Sequence, residues 1–472
     1  MRVTTYCALA AWAAAAPFDA SAADASFPAT SGLRGLFEGD RVVATDNNTE
    51  RDDASRESLF ADDKAPAAPK RWWRGFSQAE FAYTYADPKH WSNMLLRTEV
   101  DAQGAFSENV KWKLGARVDY DAVYDATNFY PSDVRRDQRA NFFLRENYVD
   151  IGAGDWDFRL GRQQVVWGEM VGLFFADVVT AKDLRQFILP DFEILRIPQW
   201  TLRAEYFKDD VHAELIWIPV PSYDLIAKPG GEFFPAAPAA PPGFATQYDA
   251  EQTPERTLAH TNYGVRLSYL RNGWDVSGFY YSSMDSAASY YRRIELAPQP
   301  TYVYQARHDR IEQAGGTFAK DFGTFVLKGE AVYTHGRNVS VLRADDSDGL
   351  VHQNTLDAVV GLDFALPEDT RLNVQLFQRA YFQHDPDIIP SSHENGYSLL
   401  LNHKFTERFE AEVLWISSLN RTDWMLRPRL IWALDKAWRL QAGVDVFGGG
   451  PLGLFGQFNN RDRIHTEIRY DF

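Results

Sequence analysis

The side chains best placed to do chemistry are charges set into apolar sequence between residues 161 and 200. Gly161-Arg162-Gln163-Gln164-Val165-Val166-Trp167-Gly168-Glu169 is followed by Asp177, by Asp183 and Arg185, and then by Arg196-Ile197-Pro198-Gln199-Trp200. Charges in apolar surroundings need partners, because a buried unpaired charge is costly. Arg162 with Glu169 or Asp183, and Arg185 with Asp177, are the pairs this spacing offers. Such pairs either pin a segment in place or, with Gln163, Gln164 and Trp167, line a constriction that touches a solute. Catalysis asks for more. A hydrolase needs a nucleophile beside a base, and the 10 histidines are scattered from His90 to His465 without such a context. The His-Glu-x-x-His zinc spacing is absent. Asp345-Asp346-Ser347-Asp348-Gly349 resembles a calcium loop but lacks the bidentate Glu that completes one. The expectation is a protein without enzymatic activity, metal or cofactor.

The rest of the segment 169–197 is strongly apolar, with Leu173, Phe174, Phe175, Phe187, Ile188 and Phe192 among its residues. Leaving that surface in water costs roughly 25 cal/mol per Å². The segment is therefore predicted to fold inward as a constriction or partial plug; an outer cap on other loops is the alternative.

The elements that must position it are strands. In residues 464–472, Ile464, Thr466, Ile468, Tyr470 and Phe472 alternate with His465, Glu467, Arg469 and Asp471. This period of two describes a strand with one apolar and one wet face. The same alternation recurs from Arg74 onward, as in Val110, Trp112, Leu114, Ala116 and Val118 opposite Lys111, Lys113, Arg117 and Asp119. Segments of roughly 10–15 residues are long enough to cross an apolar slab at a tilt. They number about 18, with 16 as the alternative count, since bacterial barrels take an even number. Tight turns such as Ala153-Gly154, Asn272-Gly273 and Asp435-Lys436 alternate with long connections, including 169–197 and the Pro-rich 219–258. The predicted fold is all-β: a transmembrane antiparallel barrel over 71–472, with an inward constriction loop and the Pro-rich connection as an exposed extracellular loop without chemistry, a lid being the alternative.

Residues 1–22 read as a secretory signal, with Arg2, an apolar core too short to span a membrane and an Ala20-Ser21-Ala22 cleavage site. Cys7, the single cysteine, falls inside it, which excludes disulfides from the mature chain. Residues 23–70, rich in Asp, Glu, Ser and Ala, read as a flexible periplasmic lead. Aromatic residues make up 14% of a chain with net charge −16. A lipid-facing aromatic belt diluted by a polar lumen gives such a composition, and the acidity argues against nucleic acid as a partner.

The closing Tyr470-x-Phe472 resembles the insertion signal of Gram-negative outer-membrane barrels, which implies outer-membrane lipid and the barrel-assembly machinery as partners. The motif from Gly161 to Trp200 resembles a large, mostly uncharacterised family of such barrels, known as a domain of unknown function. Some of its members sit beside RND-type exporters of lipids or other hydrophobic molecules, which implies a periplasmic or RND-type transport partner. A similar Gly-Arg-Gln strand before an inward loop occurs in alginate-export barrels. By alternation the inner wall is polar and mixed in sign, and its lumen candidates are Arg117, Arg203, Glu205, Arg266, Arg379, Arg427, Arg429 and Arg439. The expected function is a channel in the outer membrane of a Gram-negative bacterium, passing a solute for which a hydrophobic or lipidic molecule is a candidate. An export pore for acidic polysaccharide and a plugged barrel acting as receptor or scaffold are the alternatives.

Overall fold

The computed structural model describes residues 72–168, 170, 175–235, 240–451 and 453–472. The expected signal peptide and periplasmic lead, Glu169, and residues 236–239 of the Pro-rich tract lie outside the described residues.

A chain that alternates apolar and polar residues over long strands can bury neither face alone. In hydrocarbon it must also satisfy every backbone group, so the sheet has to close. Closure is observed in a single 18-stranded sheet. Its strands are Trp73–Thr84 (β1), His90–Ser107 (β2), Val110–Asp121 (β3), Ala140–Ala153 (β4), Trp156–Gln163 (β5) and Gln199–Lys208 (β6). Val211–Val220 (β7), Asn262–Arg271 (β8), Trp274–Met284 (β9), Arg310–Asp321 (β10), Phe325–Ser340 (β11) and Leu350–Leu366 (β12) follow. Thr370–Phe382 (β13), His393–Thr406 (β14), Phe409–Ser418 (β15), Asp423–Ala433 (β16), Trp438–Gly449 (β17) and Arg463–Asp471 (β18) complete it. Each strand pairs antiparallel with its neighbours in sequence, and β18 pairs with β1 from Asp471↔Phe76 to Arg463↔Thr84. Gly75 and Phe472 exchange two backbone hydrogen bonds (3.0 and 2.9 Å), and the Trp73 and Phe472 rings touch beside them. The larger of the two expected strand counts is the observed one.

At one rim the connections are tight. Asn272 and Gly273 (φ 53° and 71°) and Glu368 and Asp369 (φ 59° and 49°) adopt the left-handed backbone that two-residue hairpins require. The other rim carries the long connections. There Ser289–Glu295 and Thr301–Arg307 form a hairpin, and Ala245–Tyr248 from the Pro-rich connection adds to it in parallel. That connection is therefore not simply an exposed loop. Its Glu232 is buried and accepts hydrogen bonds from Thr84, His90 and Tyr130 at 2.8–2.9 Å.

Burial separates the two faces of the wall. Phe81, Leu96, Leu114, Leu215, Leu376 and Leu430 are exposed on the outside, with Trp156, Trp217, Trp274, Trp438 and Tyr470 near the ends of the apolar rows. An unbroken exposed apolar belt with aromatic edges is a lipid-facing surface. The inner face corrects the expectation of a wholly polar wall. Phe377, Leu400, Leu414, Ile416, Met425 and Phe447 point inward from β13 to β17 and are buried together. Alternation assigns residues to a face; it does not say what that face will meet.

Leu376 is 56% exposed at the middle of β13. Replacing it by arginine should destabilise the barrel by about 2–4 kcal/mol, the usual depth-dependent cost of a cation against lipid. The check is the temperature at which the folded, fast-migrating band is lost in gel electrophoresis; an unchanged temperature would contradict the outward facing.

Candidate functional site

In β5, Trp156, Phe158 and Leu160 face out while Asp157 and Arg159 face in, and the strand stops at Gln163. Gly161 sits two residues before that end with φ 133°, where an added Cβ would collide with the Asn147 carbonyl. From Gln164 the chain leaves the wall. Buried Gln163 donates to the carbonyls of Arg159 and Thr201 (3.1 Å each), and the Gln164 amide donates to Glu146 (3.2 Å). Trp167 is fully buried, donates its indole N–H to Glu214 (3.0 Å) and packs on Phe279 and Tyr281.

The segment then touches inward-facing residues around the wall. Glu330 on β11 accepts the backbone N–H groups of Met170 (2.7 Å) and Ala176 (2.8 Å). Met170, Phe175, Leu184, Phe187, Ile188 and Leu189 pack on the apolar arc of β12 to β17. Arg427 on β16 donates to the Leu189 carbonyl (2.8 Å). On the return, Arg117 of β3 donates to the Ile194 carbonyl (3.1 Å), and Arg145 of β4 to the carbonyls of Glu193 (2.6 Å) and Arg196 (2.8 Å). Ala181–Lys182 pairs with Arg196–Ile197, tying the two arms of the segment to each other. Beside Pro190 and Ile194 lie two cavities of about 30 and 20 Å³, room for about one water each.

The charges of the motif pair differently from the expectation. Arg185 makes a bidentate contact with Asp183 (2.8 and 2.7 Å) instead of Asp177. The two lie two positions apart, and their side chains emerge together. Burial would raise the Asp183 carboxyl, but the charge and hydrogen bonds of Arg185 outweigh it and hold that carboxyl below the ordinary range. Asp177 is buried against Arg196 (3.2 Å) and Lys182 (4.0 Å), brought there by the pairing of the two arms. Arg162 stands opposite Asn147 and Trp200, half-buried, and its Nε has no hydrogen-bond partner among the described residues. No ion pair among the described residues joins it to Asp183.

The lumen arginines are neutralised by carboxylates on their own or neighbouring strands. Arg203 meets Glu214 (2.8 Å) and Glu205 (2.9 Å), Arg427 meets Asp445 (2.8 Å), and Arg117 meets Asp119 (3.2 Å). Arg379 pairs with Asp357, Arg429 with Glu412, and Arg439 lies 3.9 Å from Glu467. Arg266 faces inward opposite Glu214 on β7. The residues that sequence reasoning missed are Arg145 and Glu330, which hold more of the segment's backbone than Arg162 does. Alternation marks Glu330 as inward, but nothing in the sequence says which amides it will meet. Among the described residues no group of three or more His, Cys, Asp or Glu is arranged to hold a metal.

A family model described as "Protein of unknown function (DUF1302)" matches residues 3–381. No curated protein matches the chain. Among solved structures, Acinetobacter baumannii OccAB4 is similar with a TM-score of 0.51 at 10% identity, over 86% of this chain and 100% of that one. Acinetobacter baumannii OccAB2 has a TM-score of 0.50 at 11% identity, over 85% and 97%. Pseudomonas aeruginosa OccK8 (OprE) has 0.50 at 8%, over 85% and 97%. At such identities the likeness is one of fold.

Replacing Glu330 by alanine would leave the amides of Met170 and Ala176 buried without their acceptor, at about 1–3 kcal/mol for such a loss. Hydrogen exchange followed by mass spectrometry should show faster exchange across 175–197 with the wall strands unchanged. Unaltered exchange would mean that Glu330 does not hold the segment.

Proposed function

This chain belongs to the family described as "Protein of unknown function (DUF1302)", and we propose that it is an outer-membrane channel whose passage is narrowed by its own residues 164–198. One observation carries the reading. The segment is fastened to inward-facing side chains on β3, β4, β11 and β16, so that it crosses from one side of the wall to the other. The belt of outward Leu, Phe and Trp supports insertion in the outer membrane of a Gram-negative bacterium. Tyr470 on that belt and Phe472 at the closing seam are the side chains the barrel-assembly machinery would read.

Apolar packing of the segment supports a solute with apolar surface. The arginines support an acidic polysaccharide less well, because Arg117, Arg203, Arg379, Arg427 and Arg429 each already have a carboxylate partner. The number of wall side chains that fasten the segment favours a second reading, a barrel that rests closed and opens only when a periplasmic partner, of RND type or otherwise, moves the segment. Both readings make residues 164–198 the moving part.

Single-channel recording in planar bilayers separates them. The intact protein should conduct in small steps, and a form with 175–195 replaced by a short glycine linker should conduct severalfold more. Silence in the intact protein with large steps in the shortened form would favour the resting-closed barrel. Equal conductance in the two forms would refute a role for the segment in narrowing the path.

A further inference from the structure

The wall has a weak seam, and it lies behind the apolar arc. Pro428 sits at the middle of β16, facing outward. Proline has no N–H to give a neighbouring strand and is rare in the interior of a sheet. On one flank Arg427 and Pro428 pair normally with Leu414 and Val413 of β15. On the other flank the ladder to β17 runs from Asp423↔Gly449 to Leu426↔Val446 and resumes only at Arg429↔Gly443. Register does not shift across the gap. The other interruptions in the described wall are accompanied by a register shift, as between Ala82 and Tyr83 or between Leu114 and Ala116.

Side chains close the gap from inside. Arg427 donates to Asp445 (2.8 Å), which lies directly across the unpaired stretch, and Arg463 of β18 holds the other oxygen of Asp445 (2.8 Å). All three are buried. The same Arg427 holds the Leu189 carbonyl of the inner segment. On the lumen side, Met425 and Phe447 face each other in register and are buried with Phe187, Leu189, Phe455 and Phe458. Outside lie Leu426, Leu430, Ala442 and Val444, facing lipid. The gap in the ladder thus has lipid-facing apolar side chains outside and, inside, an ionic clamp flanked by Met425 and Phe447, and that clamp is shared with the segment.

We propose that the β16–β17 seam at Pro428 is a lateral portal, through which an apolar solute seated against Phe187, Met425 and Phe447 passes between lumen and bilayer. This rests on the reading of residues 164–198 as a movable constriction and adds to it the solute class and the route. When the segment moves, Arg427 loses its carbonyl partner at Leu189, and the gap in the ladder is left covered by the side chains of Arg427, Asp445 and Arg463 alone. A water-soluble solute would instead run the length of the lumen and ignore the seam.

The test uses the full barrel in a Gram-negative host lacking its general porins. Leu426→Cys with Val446→Cys places a cross-link over the seam from the lipid side, at positions that are register partners. Leu376→Cys with Tyr397→Cys does the same between β13 and β14 as a control. Uptake of N-phenyl-1-naphthylamine reports apolar passage, and hydrolysis of nitrocefin by a periplasmic β-lactamase reports polar passage. Oxidation of the seam pair, verified by gel mobility, should lower naphthylamine uptake severalfold and leave nitrocefin unchanged, with recovery on reduction. The control pair should change neither. Pro428→Val, which restores an N–H, should lower naphthylamine uptake without any cross-link. Naphthylamine uptake that stays constant in the oxidised seam pair overturns the portal and leaves the channel intact. If neither probe passes faster than in cells without the protein, even with 175–195 removed, the channel reading falls and the portal with it.

Discussion

In hydrocarbon a backbone N–H or C=O cannot fall back on water, and each one left unpaired costs several kcal/mol. The architecture follows from that requirement. Eighteen strands pair in sequence order and the last returns to the first, so that no edge faces lipid. Closure then dictates the alternation, because every second residue must meet lipid and the rest must meet the lumen. The two backbone bonds between Gly75 and Phe472 extend the closing ladder, which runs from Arg463↔Thr84 to Asp471↔Phe76, to the end of the chain.

The same constraint acts on the described residues between Gln164 and Pro198, which have left the sheet and must find partners elsewhere. Short pairing between 181–182 and 196–197 satisfies part of the backbone. Much of the rest is met by charged wall side chains, Glu330 accepting amides, and Arg117, Arg145 and Arg427 donating to carbonyls. Charged groups suit this task because a hydrogen bond to an ion is about twice as strong as one between neutral groups. Their own charge is balanced in the wall, as Arg427 is by Asp445 and Arg117 by Asp119. The lumen charges are therefore fasteners first. A continuous track of one sign is not what the pairs form.

How much of this was legible in the sequence divides along the range of the interaction. Period-2 alternation is local, and it located every wall strand, since Leu114 outward and Lys113 inward can be told from neighbours alone. Tight turns were equally plain, with Asn272-Gly273 allowing only a hairpin. What failed was the choice of partner at a distance. Arg185 was expected on Asp177 by spacing in an apolar run, whereas Asp177 goes to Arg196 because the two arms pair. Phe377 and Met425 were readable as inward residues, but their apolar character had no meaning until the segment that covers them was in place. β5 ends at Gln163, because the residues beyond it take their partners from the inner wall, as Trp167 does from Glu214, and that too is a choice of partner at a distance.

An apolar arc inside a lumen has an energetic consequence. While Phe187, Ile188 and Leu189 cover Leu414, Met425 and Phe447, the arc is dry. Withdrawing the segment into water would expose both surfaces, at roughly 25 cal/mol for each Å² uncovered. A polar solute does nothing to offset that cost, because it binds neither surface. An apolar solute can replace the segment on the arc and so bind the open form better than the closed one. A ligand shifts such an equilibrium only by its differential affinity for the two forms. The packing that holds the segment shut is thus also the feature by which an apolar solute would select the open state. On the reading proposed above, selectivity and opening reside in the same side chains.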